Sequence, residues 1–179
     1  MKTTGSMQLT IQHFAHLPRP FVAAQPPWKN RFMPDSGYAI FRSGWDDQAR
    51  LAVLMAEHGP ARLTLHDHVD ATSFLIEAYG EYLVIDTGYY KPNELDNART
   101  AHAPAHNVVL IDGVGAPRKG LLNDWGGADA FLENSHDGRR VAYTEARQSY
   151  QDSTIIRAMI FVGERYWVIA DRLTSTVAD

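Results

Sequence analysis

From Gly37 onward, apolar residues of this chain fall at every second position and are broken at short intervals by glycine, aspartate and asparagine. A period of two sends side chains alternately to the two faces of an extended strand, a pattern that a helix of 3.6 residues per turn does not match. Strand patterns run over Tyr38–Arg42, Arg50–Met55, Ser73–Tyr79, Tyr82–Ile85, Asn107–Ile111, Val141–Tyr150, Ile155–Val162 and Tyr166–Ala170. Gly80-Glu81, Asp137-Gly138 and Gly163-Glu164 supply tight turns, and Asp112-Gly113 ends another run. The total is roughly ten short strands without a convincing amphipathic helix, which predicts an all-β fold: an antiparallel β-sandwich with jelly-roll-like stacking. The residues before this pattern differ, because Pro18, Pro20, Pro26, Pro27 and Pro34 deny both regular helix and central strand. Residues 1–34 read as an extended connector that opens on the vector-like MKTTGSM and carries Phe21, Trp28 and Phe32 to pin it to a sheet. Residues 35–179 read as one sandwich domain.

A chain of 179 residues is long enough for one domain with a sizeable core. Its 17 basic residues are scattered and outnumbered by 21 acidic ones, which argues against a nucleic-acid partner. No apolar run approaches the length of a bilayer span, and the N-terminus lacks the charged-then-apolar pattern of a signal peptide. The compartment stays unassigned. With no cysteine in the chain, any metal must be held by His, Asp or Glu.

The segment from His66 to Asp86, HDHVDATSFLIEAYGEYLVID, concentrates the chemistry. His66 and His68 leave the same face of an extended backbone, so two imidazoles can meet one cation. A hairpin of residues 73–79 and 81–86 brings Asp86 back to the same end of the sheet. The long loop Thr87–Ala105 then leads to His106 and places Tyr89 and Tyr90 over whatever His68 and Asp86 hold. His68, Asp86 and His106 form a candidate set of two imidazoles and a carboxylate, suited to Zn²⁺ but also to Fe or Mn. The plain alternative is a solvated HxH face and an ordinary turn aspartate before Thr87-Gly88. Spacing alone does not rank His66 against His68. A cupin-like metal barrel is the runner-up, weakened because Glu77 falls too far after His68 for the usual cupin spacing.

Several short motifs in order are more specific. Asp35-Ser36-Gly37-Tyr38, Arg42-Ser43-Gly44-Trp45-Asp46, His66-x-His68-x-Asp70 with Ser73-Phe74, Asp86-Thr87-Gly88-Tyr89-Tyr90, Ala105-His106-Asn107 and Asp112-Gly113 resemble the heparinase II/III family of polysaccharide lyases. The resemblance is strongest over residues 34–116. It implies the C-terminal β-sandwich, or supersandwich, of enzymes that also carry an N-terminal α/α toroid, with the active site in the cleft between them. The implied reaction is β-elimination on uronate-containing glycans such as glycosaminoglycans or alginate, in which nearby donors stabilise charge developing on the carboxylate. His66 resembles the sandwich histidine facing substrate, Tyr90 or its neighbour Tyr89 resembles the loop tyrosine over the cleft, and His68, Asp86 and His106 resemble ligands of a structural zinc. Asp70 reads as support for a ligand histidine or as a turn cap.

The toroid, which in relatives supplies the principal catalytic tyrosine, is absent from this chain. The expectation is therefore a metal-binding fragment with little lyase activity alone, whose partners are an acidic polysaccharide, the missing toroid and, through an exposed sheet edge, a second copy. Full-length relatives are commonly periplasmic or secreted and some are cytoplasmic. The other class of function is a non-catalytic module that binds acidic glycans or acts as a scaffold.

Overall fold

The computed structural model describes residues 24–58, 68–88, 100–117 and 129–177. Nine strands occur among them, in two antiparallel sheets. The first sheet is a meander of β1 (Arg31–Met33), β2 (Tyr38–Arg42), β3 (Leu51–Met55), β4 (Phe74–Ala78) and β5 (Glu81–Val84). The second is a meander of β6 (Ala130–Asp137), β7 (Val141–Tyr150), β8 (Ser153–Val162) and β9 (Tyr166–Ser175).

The period of two decides which side chains fill the space between the sheets. Phe41, Ala52, Leu54 and Ile76 from the first sheet meet Leu132, Ala142, Met159 and Phe161 from the second. Phe41 and Phe161 cross edge to face at 6.3 Å, and Trp167 stacks on Phe161 at 4.9 Å. The first pair interlocks the two layers and the second joins β8 to β9 within one sheet, and both remove apolar area from water. The sandwich expected from the alternation is the fold observed.

Two turns use left-handed backbone where the sequence needs it. Gly37 (φ +75°) ends a 3₁₀ turn at Pro34–Ser36, and a Cβ there would lie 2.2 Å from the Ala56 carbonyl oxygen. Tyr79 (φ 60°) and Gly80 (φ 75°) are both left-handed, so the β4–β5 turn is Tyr79-Gly80, one residue earlier than Gly80-Glu81. The reason is that a two-residue turn with both φ values positive matches the twist of the flanking strands.

Other differences from expectation are local. Residues 107–111 make no strand, because the Asn107 backbone bonds to a serine and an arginine side chain and the turn at Asp112-Gly113 closes a single bridge between Ile111 and Val114. Strand β6 was not evident from the sequence; its register shifts between Glu133 and His136, which interrupts the alternation. β1 lies inside the proline-rich stretch assigned to a connector, as an edge strand, where Pro34 can end it without removing a ladder bond. Between Gln151 (φ 50°) and Asp152 (φ 54°), a further tight turn joins β7 to β8.

Candidate metal centre

Three backbone devices bring the chemistry-bearing residues together. Strand β5 ends at Val84 and delivers Asp86 two residues later. The segment 68–72 enters β4, with Val69 N–H bonded to the Ala101 carbonyl and Ser73 N–H to Asp70 O, at 2.9 and 2.7 Å. A 3₁₀ turn at Ala103–Ala105 then presents His106, whose N–H returns to Ala103 O at 3.0 Å.

Asn107 ties these three pieces to one another. Its N–H donates to Ser73 Oγ at 3.1 Å, and its side-chain amide donates to Phe74 O at 3.0 Å and to Ile85 O at 2.8 Å. Residues next to His106, next to Asp86 and at the head of β4 thus share one side chain.

Within this frame His106 Nδ1–H donates to Asp86 Oδ2 at 2.7 Å. The imidazole is fully buried and the carboxylate 14% exposed. The other Asp86 oxygen accepts the Gly88 N–H at 3.0 Å, the Asx arrangement expected of an aspartate before Thr-Gly. In the neutral ring that donates through Nδ1, the lone pair is on Nε2, and that atom of His106 is buried with no hydrogen-bond partner among the described residues. The His68 ring lies 5.2 Å from the His106 ring, centroid to centroid. One ligating atom each from His68, Asp70 and His106 falls within 4.8 Å of the others. Two imidazoles and a carboxylate at such separations form a donor set for a divalent cation of the Zn²⁺ type, and a buried imidazole nitrogen lacking a donor is the kind of atom a cation satisfies.

The structure brings His68 and His106 together with Asp70, whereas Asp86 touches His106 through Nδ1 and is not one of the residues whose ligating atoms cluster with His68. Residue Asp70 carried a visible signal: it lies two positions after His68, on the same face of an extended segment. His66, Tyr89 and Tyr90, the candidates for the substrate side, lie outside the described residues. Beside the centre, Tyr38 donates to Glu57 Oε1 at 2.7 Å. Burial first, then that bond to Glu57, push the Tyr38 phenol well above the ordinary tyrosine value. Asp86 also lines an apolar cavity of about 440 Å³ with Leu51, Val53, Leu75, Tyr82 and Val84.

A family model described as "Heparinase II/III-like, C-terminal" matches residues 25–178. Among solved structures, the fold is similar to a heparinase III gene product with methylated lysines, at TM-score 0.73 and 20% identity over 86% of this chain and 23% of that one. It is also similar to a second structure titled heparinase III, at TM-score 0.71 and 17% identity over 86% of this chain and 24% of the other. The chain therefore spans about a quarter of the length of these solved chains. No curated protein matches the sequence.

Proposed function

Because the chain belongs to the heparinase II/III-like C-terminal family, we propose that it is the metal-bearing sandwich portion of a polysaccharide lyase that cleaves uronate-containing glycans by β-elimination. The observation that supports the metal part is the meeting of His68, Asp70 and His106, residues up to 38 positions apart in sequence, with Asp86 bonded to the far side of the His106 ring. His68 and His106 supply the imidazoles. Asp86 is the carboxylate that the motif order nominates, and Asp70 is the one the geometry adds.

A cation here would join the head of β4, the end of β5 and the segment around His106, and so hold the loop that begins at Thr87. Its role in this proposal is structural: binding energy restricts a long loop that would otherwise cost entropy to order. His66 and Tyr90, with Tyr89 as neighbour, take the substrate side by motif position. Groups of that kind would neutralise the uronate carboxylate and move the proton at the carbon beside it. Since the chain spans about a quarter of the solved heparinase III chains, the sandwich alone is proposed to have little lyase activity and to need an α/α toroid.

Elemental analysis of the purified protein tests the metal reading. One equivalent of zinc is expected in the wild type and none in His68→Ala or Asp86→Ala, while Asp70→Asn, which keeps the volume and loses the charge, divides the carboxylates. Stoichiometric metal missing from the wild type would sink the reading. Absorbance of the unsaturated product on uronate glycans, with and without a toroid domain supplied in trans, tests the lyase reading; robust activity from the sandwich alone would refute its dependence on the toroid. Strand β9 is an edge among the described residues and exposes Tyr166, Val168 and Leu173. Sedimentation is expected to show pairing with a second copy, and a monomer at every concentration would count against it.

A further inference from the structure

The inward positions of β8 are Ser153, Ile155, Arg157, Met159 and Phe161, so an arginine occupies a place that the alternation reserves for an apolar side chain. Arg157 is 5% exposed, and the residue opposite it on β7 is Ala146, whose small side chain leaves room for the guanidinium. A buried charge is tolerated only when it is paired and hydrogen-bonded. Here Nε and Nη2 engage the two oxygens of Asp171, directly opposite on β9, at 2.8 Å each. Nη1 donates to Thr72 O at 2.8 Å and also to Asn107 O. The guanidinium lies over the Phe74 ring, 5.2 Å from its centroid.

The two carbonyls are the notable partners. Thr72 lies two residues after Asp70, and Asn107 follows His106 directly. One nitrogen of a residue on the other sheet therefore bridges the two segments that carry the candidate ligands. Thr72 is also a β-branched residue at φ 77°, a conformation that persists only where the surroundings over-determine it. Its N–H is held by Met55 O at 2.8 Å and its carbonyl by Arg157. Tyr150, on the neighbouring strand β7, adds a second tie by donating to Val109 O at 2.8 Å.

We infer that Arg157, locked by Asp171, is a positioning residue of the metal centre: it sets the separation of the 68–72 and 106–109 segments, and hence of His68 and His106. This rests on the metal-binding reading above. Residues outside a ligand set that orient it typically change metal affinity by about 10- to 100-fold. A planar, forked donor is needed because Asp171 takes two of its N–H groups while two carbonyls share a third nitrogen.

The test uses the full chain with Arg157→Met, Arg157→Lys and Asp171→Asn, and Met159→Ala as a control buried on the same strand whose side chain has no donor for either carbonyl. Zn²⁺ affinity is measured by competition with a chromogenic chelator, ligand geometry by the visible bands of bound Co²⁺, and metal-free stability by thermal unfolding. Arg157→Met is expected to lose roughly tenfold or more in Zn²⁺ affinity and to shift the Co²⁺ bands. Asp171→Asn should move both in the same direction by less, and Arg157→Lys should not rescue them, whereas Met159→Ala should keep wild-type affinity at an equal or larger loss of stability. If Arg157→Met does not fold, the lysine and asparagine variants carry the same comparison. Affinities that track thermal stability alike in all variants, control included, would overturn the positioning role. A wild type that binds neither Zn²⁺ nor Co²⁺ would instead remove the metal reading, and this inference with it.

Discussion

The two sheets achieve order by different means. In the four-stranded sheet, β7, β8 and β9 pair over ten residues each without a register shift and are joined by tight turns. Both sheets are meanders, so what sets these three strands apart is their length and unbroken register; in the four-stranded sheet the shift is confined to the β6–β7 pair. The five-stranded sheet has strands of five residues or fewer and a register shift between Ile76 and Glu77. Its shape depends on side chains that reach across gaps in sequence: Asn107 to Phe74 and Ile85, His106 to Asp86, Arg157 to Thr72. The regular sheet is a platform, and the irregular one carries the site because its connections are free to converge.

That contrast can be broken at the interface between the layers. Phe161→Ala removes a ring that is 2% exposed and touches both Phe41 and Trp167, and should cost about 3–5 kcal/mol in chemical denaturation. A loss below about 1 kcal/mol would mean that the sheets do not share a core.

A smaller effect is expected at Gly37, where alanine would be strained at φ +75° and would press on the Ala56 carbonyl. Gly37→Ala should destabilise by about 1–3 kcal/mol. Wild-type stability in that variant would show that the β1–β2 entry can shift without penalty.

Asn107→Ala sharpens the contrast, since it removes two side-chain bonds within the site and leaves in place the backbone carbonyl that accepts from Arg157. A loss of about 1–2 kcal/mol is expected, with hydrogen exchange accelerating in residues 68–88 and unchanged in β7 and β8. Uniform acceleration would argue that the two sheets unfold as one unit at that depth.

Alkaline titration probes the Tyr38 contact. With its folded value raised, the Tyr38 contribution is fully present below the ordinary tyrosine range near 10 and is lost as pH rises through the higher folded value. Tyr38→Phe should flatten that alkaline decline, and an unchanged profile would discount the contact.

The smallest effect belongs to Lys29, whose ion pair with Glu164 at 2.9 Å is about half exposed on both sides. Lys29→Ala should change stability by roughly 0–1 kcal/mol, and less in high salt.

Legibility in the sequence followed the same division. The limits of β7 could be read to the residue from unbroken alternation, and β9 was recognised but runs to Ser175 rather than Ala170. Beyond Ala170 the strand carries Asp171 and Arg172, and nothing in a local pattern says that Asp171 has Arg157 as its partner. The site was legible as a set of residue types in order, because HxH, Asp-Thr-Gly and Ala-His-Asn each keep their spacing whatever the fold does around them.

By itself, the sequence determined the all-β class, the alternation that places Phe41, Leu54, Met159 and Phe161 between two sheets, and the nomination of His68, Asp86 and His106. These depend on local chemistry: side-chain period, turn residues and ligand type. Only the tertiary structure decided that Asp86 meets His106 through Nδ1, that Asp70 joins the two imidazoles, and that Arg157 bridges their segments from the opposite sheet. The contacts of His106 with Asp86 and of Arg157 with Thr72 join residues 20 and 85 positions apart, and their geometry is set by which sheet faces pack together, a choice made by the burial of the whole core rather than by any short stretch of chain.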